Sequence, residues 1–367
     1  MAYSAHLRVC IHTANLDAHD WSVMTQGAWM QDFPLKVPGA AVTTTSEFET
    51  QLLAYFTATG WPGGRIGGPD GPLINKATLK LYDFSAARVR LAASVPYDHP
   101  FGPAATQLWG HLRISQILNS ERFAPEFVGA PVVWQFSSLS GICNTTKDAT
   151  PVDKEASLKW VRELDASFSA GRVAGGGDQL SQLGPAHNCR FIWPTQQEVA
   201  TCIEPETGGG MPSDYMNAVT KMALLSERRC RWAAADGTPH PEGRLQVMPH
   251  IKTFLRHRGQ HIAWLYLGSS NLSRAAWGEF TGKNGAVKFS MKSFELGVVF
   301  VPSLLTGING NQEPLQLVTT VSQEAAAAGG RSGVTPDGRC LALPVPYQLS
   351  PVPYQARDVP WYTRGGP

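Results

Sequence analysis

The sequence lacks the features that would place it in a membrane or in an oxidising compartment. No apolar run approaches the roughly 20 residues that a membrane-spanning helix requires. The opening residues MAYSAHLRVC contain no long apolar core of a signal peptide. The 6 cysteines are scattered, without a C-x-x-C pair. We therefore expect a soluble intracellular protein with free thiols and no membrane anchor.

The composition also lacks a strong excess of charge of either sign. The net charge of +2 permits contact with a polyanion without requiring it. With 367 residues, 43% of them hydrophobic, the chain can bury a large core. We expect one large globular domain or two closely packed ones.

Short apolar runs alternate with helical patterns along the chain. HLRVCIHTAN and IAWLYLGSSN end in small polar residues, which is typical of buried strands whose ends reach a site. TSEFETQLLAYFTATG and TQLWGHLRISQILNS have helical periodicity, so the alternation predicts an α/β fold. Gly- and Pro-rich composition predicts loops at 60–72, 206–214 and 322–338, and an extended surface tail over 343–362.

An internal repeat links two distant segments. CIHTANLDAHDW and YLGSSNLSRAAW each place an apolar strand before Asn-Leu, and a Trp follows the Asn by six residues in both. The shared spacing, from Asn15 to Trp21 and from Asn271 to Trp277, predicts two related halves that each bring a strand end to one site. A chance match is the alternative.

A histidine, a lysine and an asparagine stand in order in the second copy. His250 and Lys252 are two residues apart, so on a strand they point to the same face, and Asn271 ends the neighbouring strand. A proton carrier, a cation and an amide donor together suit a phosphodiester, because they can hold its oxygens and move the proton of a leaving group. An H-x-K alone is more often a surface feature, and only the combination favours a site. The flanking hydroxyls are Ser269, Ser270 and Ser273.

Sequence blocks along nearly the whole chain resemble one family. The blocks are LRVCIHTANLDAHDWSVMTQGAW, WGHLR, PVVWQFSSL, MPHIKTF, GSSNLSRAAWG, SFELGVVFVP and PVPYQL, and they look like those of the tyrosyl-DNA phosphodiesterases of the phospholipase D superfamily. The resemblance implies two phospholipase D-like α/β/α halves related by a pseudo-twofold. We expect residues 1–123 and 124–367 to form them, joined near residues 119–128. Asn15 and Asn271 would then face one cleft, within about 12 Å of each other, to grip one phosphate.

The resemblance also implies a reaction and its residues. A 3′-phosphotyrosyl bond left by trapped topoisomerase I is hydrolysed through a phosphohistidine, in a nuclear DNA-repair enzyme that also acts as a 3′ exonuclease, with neither metal nor cofactor. We expect a monomer that binds single-stranded DNA or 3′ ends carrying a tyrosyl peptide. His250 would be the general acid and base. The implied phosphate-stabilising residues are Lys252, Asn271 and Asn15; those that orient histidines are Gln26 and Glu295; those that contact DNA phosphates are Ser137, Ser138 and Ser273.

One part of the family pattern is absent from the sequence. The spacing of the second copy puts the first H-x-K at −6 and −4, before Met1. His6 and Arg8 form an H-x-R only nine residues before Asn15, which is too close to replace it. We interpret the chain as one that starts late and lacks the nucleophile.

Three classes of function therefore remain. An active DNA 3′-end phosphodiesterase is favoured by the order of the blocks, and a catalytically inactive DNA-end binder is favoured by the missing pair. A lipid phosphodiesterase would carry H-x-K-x-x-x-x-D, but His257 occupies the place of that Asp, which disfavours this class.

Overall fold

The computed structural model describes residues 2–3, 5–37, 46–65, 67–100, 102, 108–140, 151–174, 182–184, 189–210, 226–232, 246–282, 287–308, 313–326 and 329–362. The strands in chain order are β1 His6–His12, β2 Ala28–Pro34, β3 Gly64–Arg65, β4 Leu73–Ile74, β5 Arg90–Ser94, β6 Tyr97–Pro100, β7 Arg122–Phe123, β8 Val132–Gln135, β9 Leu139–Ser140, β10 Arg172–Val173, β11 Arg190–Ile192, β12 Arg229–Cys230, β13 Lys252–Arg258, β14 His261–Gly268, β15 Leu272–Ser273, β16 Glu279–Thr281, β17 Lys288–Met291, β18 Glu295–Phe300, β19 Gln316–Thr319, β20 Gly333–Val334 and β21 Cys340–Leu343. The α-helices are α1 Ala18–Val23, α2 Glu47–Ala58, α3 Lys76–Leu79, α4 Gly110–Ser120, α5 Pro151–Phe168, α6 Gln196–Ala200, α7 Arg274–Trp277 and α8 Gln323–Ala326. Short 3-10 helices cover Pro125–Phe127, Pro205–Gly210, Ser226–Arg228 and Pro302–Leu305.

A 10-stranded mixed sheet organises the described residues. Its order runs β12-β11-β8-β13-β14, and β14 then pairs with two strands along different stretches. The C-terminal stretch of β14, residues 265–268, pairs with β18, which pairs in turn with β5. The other stretch pairs with β19, followed by β21 and β20.

The hairpin of β13 and β14 lies at the centre of this sheet and is buried along most of its length. Its aromatic side chains pack against α5, where the rings of Phe168 and Phe254 stack at 4.8 Å. Phe168 also stacks on Trp264 and meets the ring of Trp277 edge-on. Burial of such rings is among the largest stabilising contributions that side chains make, and it fixes the hairpin against the helix.

A second hairpin, β1 with β2, forms a two-stranded sheet of its own. Residues of β2 alternate between exposed and buried, as a strand with one face on the core requires. Phe33 is buried on that face and packs on Phe48 of α2, which begins after the N-cap Ser46.

Most of the predicted elements are confirmed. The two apolar runs form β1 and β14, and the two helical patterns form α2 and α4. The segment predicted as a loop at 322–338 is partly ordered, because it contains α8 and β20; the predicted loop at 206–214 is described only as far as residue 210. The tail after β21 has neither helix nor strand in residues 344–362, as predicted. The prediction that the tail lies on the surface is wrong for Tyr347. This side chain is buried, and its hydroxyl forms a hydrogen bond with the hydroxyl of Thr253 at 2.8 Å.

The two repeat copies fold alike up to the asparagine and differ beyond it. β1 and β14 both end three residues before their asparagine. Trp277 is buried in the aromatic core, whereas Trp21 is half exposed and lies against the ring of His12. The division at residues 123 and 124 stays a prediction, and β5, from the first segment, pairs with β18 from the second.

Candidate active site

The start of β13 brings the H-x-K pair beside the end of the first hairpin. Lys252 lies opposite Gly268 of β14, three residues before Asn271. The backbone N–H groups of His250 and Ile251 both donate to the carbonyl of Thr25, at 3.0 and 2.8 Å. Because Gln26 follows Thr25 directly, this pairing places residues 26 and 250 side by side.

The ring of His250 is held at Nδ1 by two acceptors from the segment that connects β1 to β2 and includes α1. Gln26 Oε1 lies 3.3 Å away and Asp20 Oδ2 lies 3.5 Å away. Burial lowers the pKa of His250, and the charge of Lys252 lowers it further, whereas Asp20 and the carbonyl of Thr13 raise it. The neutral imidazole is therefore favoured near pH 7, and it can accept or return a proton.

A small hydrogen-bond network ties the predicted residues of the first copy to this histidine. Thr13 donates its hydroxyl proton to Gln26 Oε1 at 2.7 Å, and Gln26 Nε2 donates to the carbonyl of Asp20 at 3.2 Å. The backbone N–H of Asn15 donates to the Asp20 carboxylate at 2.8 Å. The loop that carries Asn15 is thus fixed beside His250, and the side chain of Asn15 is exposed.

Lys252 is almost completely buried, with 2% of its surface exposed. Its Nζ donates to the backbone carbonyl of His250 at 2.5 Å. Burial lowers the pKa of Lys252 to about 8, although Glu295 and Asp20 favour the charged form. A cation so placed has few water molecules to compete with an anionic ligand.

Asn271 is oriented by the loop after β8. Its Oδ1 accepts from the backbone N–H groups of Ser137 and Ser138, at 3.1 and 3.0 Å, and lies 3.3 Å from the Ser137 hydroxyl. An amide whose oxygen is fully engaged presents its NH2 group on the other side. Asn271 can therefore offer two donors to an oxyanion.

Glu295 begins β18, which pairs with β14 on the edge opposite to β13. Its Oε2 accepts from the Ser269 hydroxyl at 2.5 Å. Burial raises the pKa of Glu295, and the hydrogen bond from Ser269 and the charge of Lys252 oppose that rise. β18 pairs with β14 as β2 pairs with β1, so Glu295 and Gln26 hold similar places in the two copies.

These side chains combine a titratable imidazole, a buried ammonium group and an oriented amide on adjacent chain segments. The combination can neutralise the oxygens of a phosphodiester and move one proton at its leaving group. Among the residues that the structure describes, no group of three His, Cys, Asp or Glu side chains could hold a metal ion.

A sequence model of the family described as tyrosyl-DNA phosphodiesterase matches residues 1–355. The chain belongs to the tyrosyl-DNA phosphodiesterase family. It is 34% identical over 365 residues to tyrosyl-DNA phosphodiesterase 1 of Arabidopsis thaliana, a match that covers 95% of this chain and 55% of that protein. It is 30% identical over 309 residues to tyrosyl-DNA phosphodiesterase 1 of Drosophila melanogaster, covering 82% and 48% respectively. The chain spans about half the length of the curated relatives it matches.

The fold agrees with family membership. A crystal structure of the yeast tyrosyl-DNA phosphodiesterase superposes with a TM-score of 0.60 at 15% identity, covering 98% of this chain and 74% of that chain. This likeness confirms the predicted α/β fold of the phospholipase D type. No helix in the described part of the chain is long and apolar enough to cross a membrane. The five described cysteines, Cys10, Cys189, Cys202, Cys230 and Cys340, carry free thiols, and Cys143 lies outside the described residues.

The serines that the family resemblance assigns to DNA have structural contacts here. Ser137 is fully buried and Ser138 is half-buried. The backbone N–H groups of both donate to Oδ1 of Asn271. Ser273 is 7% exposed, and its hydroxyl caps α7 by accepting from the N–H of Ala276. Their role as DNA contacts stays a prediction.

Sequence reasoning missed Asp20 and Thr13. Asp20 stands five residues after Asn15, and the second copy has Ala276 at the equivalent position, so the repeat gave no signal for it. Thr13 directly follows β1, and a threonine at the end of a strand is too common to indicate a functional site. Both act through contacts that only the fold creates.

Proposed function

We propose that this site serves the hydrolysis of DNA 3′-end adducts, in particular 3′-phosphotyrosyl bonds, and that His250 is its general acid and base. The observation that carries the proposal is the placement of His250 between Gln26 and Lys252, with Asn271 oriented by Ser137 and Ser138. Family membership supports the same reaction, since the relatives are named tyrosyl-DNA phosphodiesterases. We further propose that the enzyme is a nuclear monomer that accepts single-stranded DNA and trims 3′ ends.

The reaction divides between two histidines. An attacking imidazole forms a P–N bond as the P–O bond to tyrosine breaks, and His250 gives its proton to the departing phenolate. A water molecule then transfers a proton to His250 and attacks phosphorus, so that the P–N bond breaks and a 3′-phosphate is released. Lys252 and Asn271 stabilise the charge on the phosphoryl oxygens in both steps.

No second H-x-K supplies the attacking imidazole in this sequence, where His250 and Lys252 form the single such motif. The structure supports a place for one beside β1. Ala2 forms an antiparallel bridge with Leu7, so a strand continuing upstream would run along β1 and set one residue opposite His12. His12 precedes Asn15 by three residues, as Gly268 precedes Asn271, and Gly268 pairs with Lys252. The lysine of an added H-x-K therefore belongs opposite His12.

This pairing makes the distance in sequence between the added lysine and Asn15 one residue shorter than the spacing of Lys252 and Asn271 predicts. The pairing of β13 with β14 shifts between Arg256 and His257, where a bulge adds a residue. A regular pairing along β1 has no such addition and would place the lysine at −3.

A groove of about 380 Å³ lies against residues 7–10 of β1 and is lined by apolar side chains that include Leu52 and Phe56.

The test is turnover of an oligonucleotide with a 3′-phosphotyrosine. The 367-residue chain should release tyrosine near the background rate, and a chain extended upstream by a strand with H-x-K in this register should be faster by several orders of magnitude. An extended chain with A-x-K instead of H-x-K is the matched control. Equal rates with and without the extension would show that the nucleophile lies elsewhere.

Activity after the H-x-K strand is supplied, and not DNA binding, separates the enzyme from the alternative of an inactive DNA-end-binding remnant. Both should bind single-stranded oligonucleotides without sequence preference and lose affinity as salt rises, because phosphate contacts release counterions. A remnant would bind and remain inactive even after the H-x-K strand is supplied. Salt-independent binding, or strong preference for one sequence, would contradict both.

A further inference from the structure

Asp20 makes contacts beyond those expected of an acidic residue in the first turn of a helix. It lies in the first turn of α1 and is 8% exposed. Its Oδ2 accepts from the backbone N–H of Asn15 at 2.8 Å and lies 3.5 Å from Nδ1 of His250. Its backbone carbonyl accepts from Gln26 Nε2 at 3.2 Å. One residue thus joins the Asn15 loop, the orienting amide and the catalytic ring.

The charges around His250 show why such a carboxylate matters. Burial and the ammonium group of Lys252 both disfavour the imidazolium that must form before the phenolate is protonated. Glu295 of β18 contributes a second carboxylate that acts on Lys252. Gln26 and Thr13 are neutral, so they orient the ring but do not supply a countercharge. Asp20 supplies one at the ring itself.

We propose that Asp20 is a positioning residue that keeps a proton on Nδ1 of His250 and stabilises its imidazolium, so that Nε2 is the atom that exchanges the proton with the substrate. A carboxylate at one ring nitrogen fixes the tautomer and favours the charged ring. Because the same oxygen binds the N–H of Asn15, movement of either group disturbs the other. The role in turnover rests on the proposed function, whereas the link between Asp20 and His250 does not.

The test begins with the unmodified chain. In a 15N-labelled sample, with His250 assigned by comparison with His250→Gln, the neutral ring should be the Nδ1–H tautomer. A neutral Nε2–H tautomer in this chain overturns the proposal without any mutation at residue 20.

Substitution then measures the link. Asp20→Asn should lower the pKa of His250 by about one unit, because the opposing charge is lost while the side-chain shape is kept. Asp20→Glu should restore part of that shift. The control is Asp17→Asn, which removes an equal charge from the N-cap of the same helix, where the exposed Asp17 accepts from the N–H of His19. Equal shifts in Asp20→Asn and Asp17→Asn would overturn the proposal, since they indicate a general field or a helix defect.

Kinetics keep the two proposals apart. In the chain completed with an H-x-K strand, Asp20→Asn should move the pH profile of kcat toward lower pH. If the variant turns over substrate with an unchanged pH profile, the proposed role of Asp20 is wrong and the proposed function is unaffected. Absence of turnover in the completed chain contradicts the proposed function and leaves the NMR result standing.

Discussion

Asn271 joins the site to the loop after β8. Its Oδ1 satisfies the N–H groups of Ser137 and Ser138, and this frees its NH2 group for an anion. Function and stability are therefore separable at this position, because the two ends of the amide have different partners.

Substitutions at Asn271 should separate these two contributions. Asn271→Leu leaves two N–H donors without their acceptor and should lower the free energy of unfolding by about 2 to 4 kcal/mol. Asn271→Asp keeps an acceptor and should cost about 1 kcal/mol or less, while its negative charge weakens binding of a 3′-phosphorylated oligonucleotide. Urea unfolding and fluorescence anisotropy measure the two effects. Equal destabilisation by Leu and Asp would show that the loop does not depend on this acceptor.

Lys252 differs from Asn271, because burial of its charge lowers the free energy of unfolding. Lys252→Met should raise the free energy of unfolding at pH 7 by an amount on the order of 2 kcal/mol, and it should abolish phosphate binding. The pKa of Lys252 falls from 10.5 to about 8 on folding, so the unfolded chain binds more protons between these values. The advantage of the Met variant should be complete below pH 8 and shrink as pH rises toward 10.5.

The control for this prediction is Lys288→Met, because the side chain of Lys288 is 53% exposed. Urea unfolding of that variant should match the original chain at every pH. A Lys252→Met variant that is less stable than the original chain at pH 7 would contradict the account of the buried charge.

The strands and helices could be predicted where a single segment determines its own structure. The apolar runs of β1 and β14 and the periodicity of α2 are local signals, and the structure contains all three. The partners could not be predicted, because pairing of β5 with β18 or contact of Gln26 with His250 joins residues about 200 apart in sequence. The buried position of Tyr347 in a Pro-rich tail has the same origin, since it depends on Thr253.

The pairing of β14 with β18 depends on glycine at close approach. Gly268 lies opposite Gly297, and a Cβ on Gly297 would come within 2.3 Å of the ring of Tyr266. Gly297→Ala should therefore lower the free energy of unfolding by roughly 1 to 3 kcal/mol and displace Glu295, which begins the same strand. Gly64→Ala is the control, because a Cβ there meets nothing within 4 Å. Equal urea midpoints for these variants would contradict the packing argument.

The molecule as a whole carries one well-formed H-x-K half-site beside a hairpin that resembles the second copy only in part. The resemblance of the sequence to the family anticipated two residues that the fold brings together, His250 and Gln26. It did not anticipate Asp20, because the repeat has alanine at the matching position. Nor could it fix the register of an added strand, since the register shift between β13 and β14 is a property of the folded hairpin.

In the proposed mechanism His250 protonates the leaving phenolate and activates water for the second step, but it does not attack phosphorus. The most direct test is to map a covalent DNA adduct by mass spectrometry after reaction with a 3′-phosphotyrosyl oligonucleotide. In the chain extended with an H-x-K opposite His12, His250→Ala should accumulate an adduct on the added histidine, because no group remains to activate water. The 367-residue chain should form no adduct. An adduct on His250 itself, in the chain without the extension, would contradict the account.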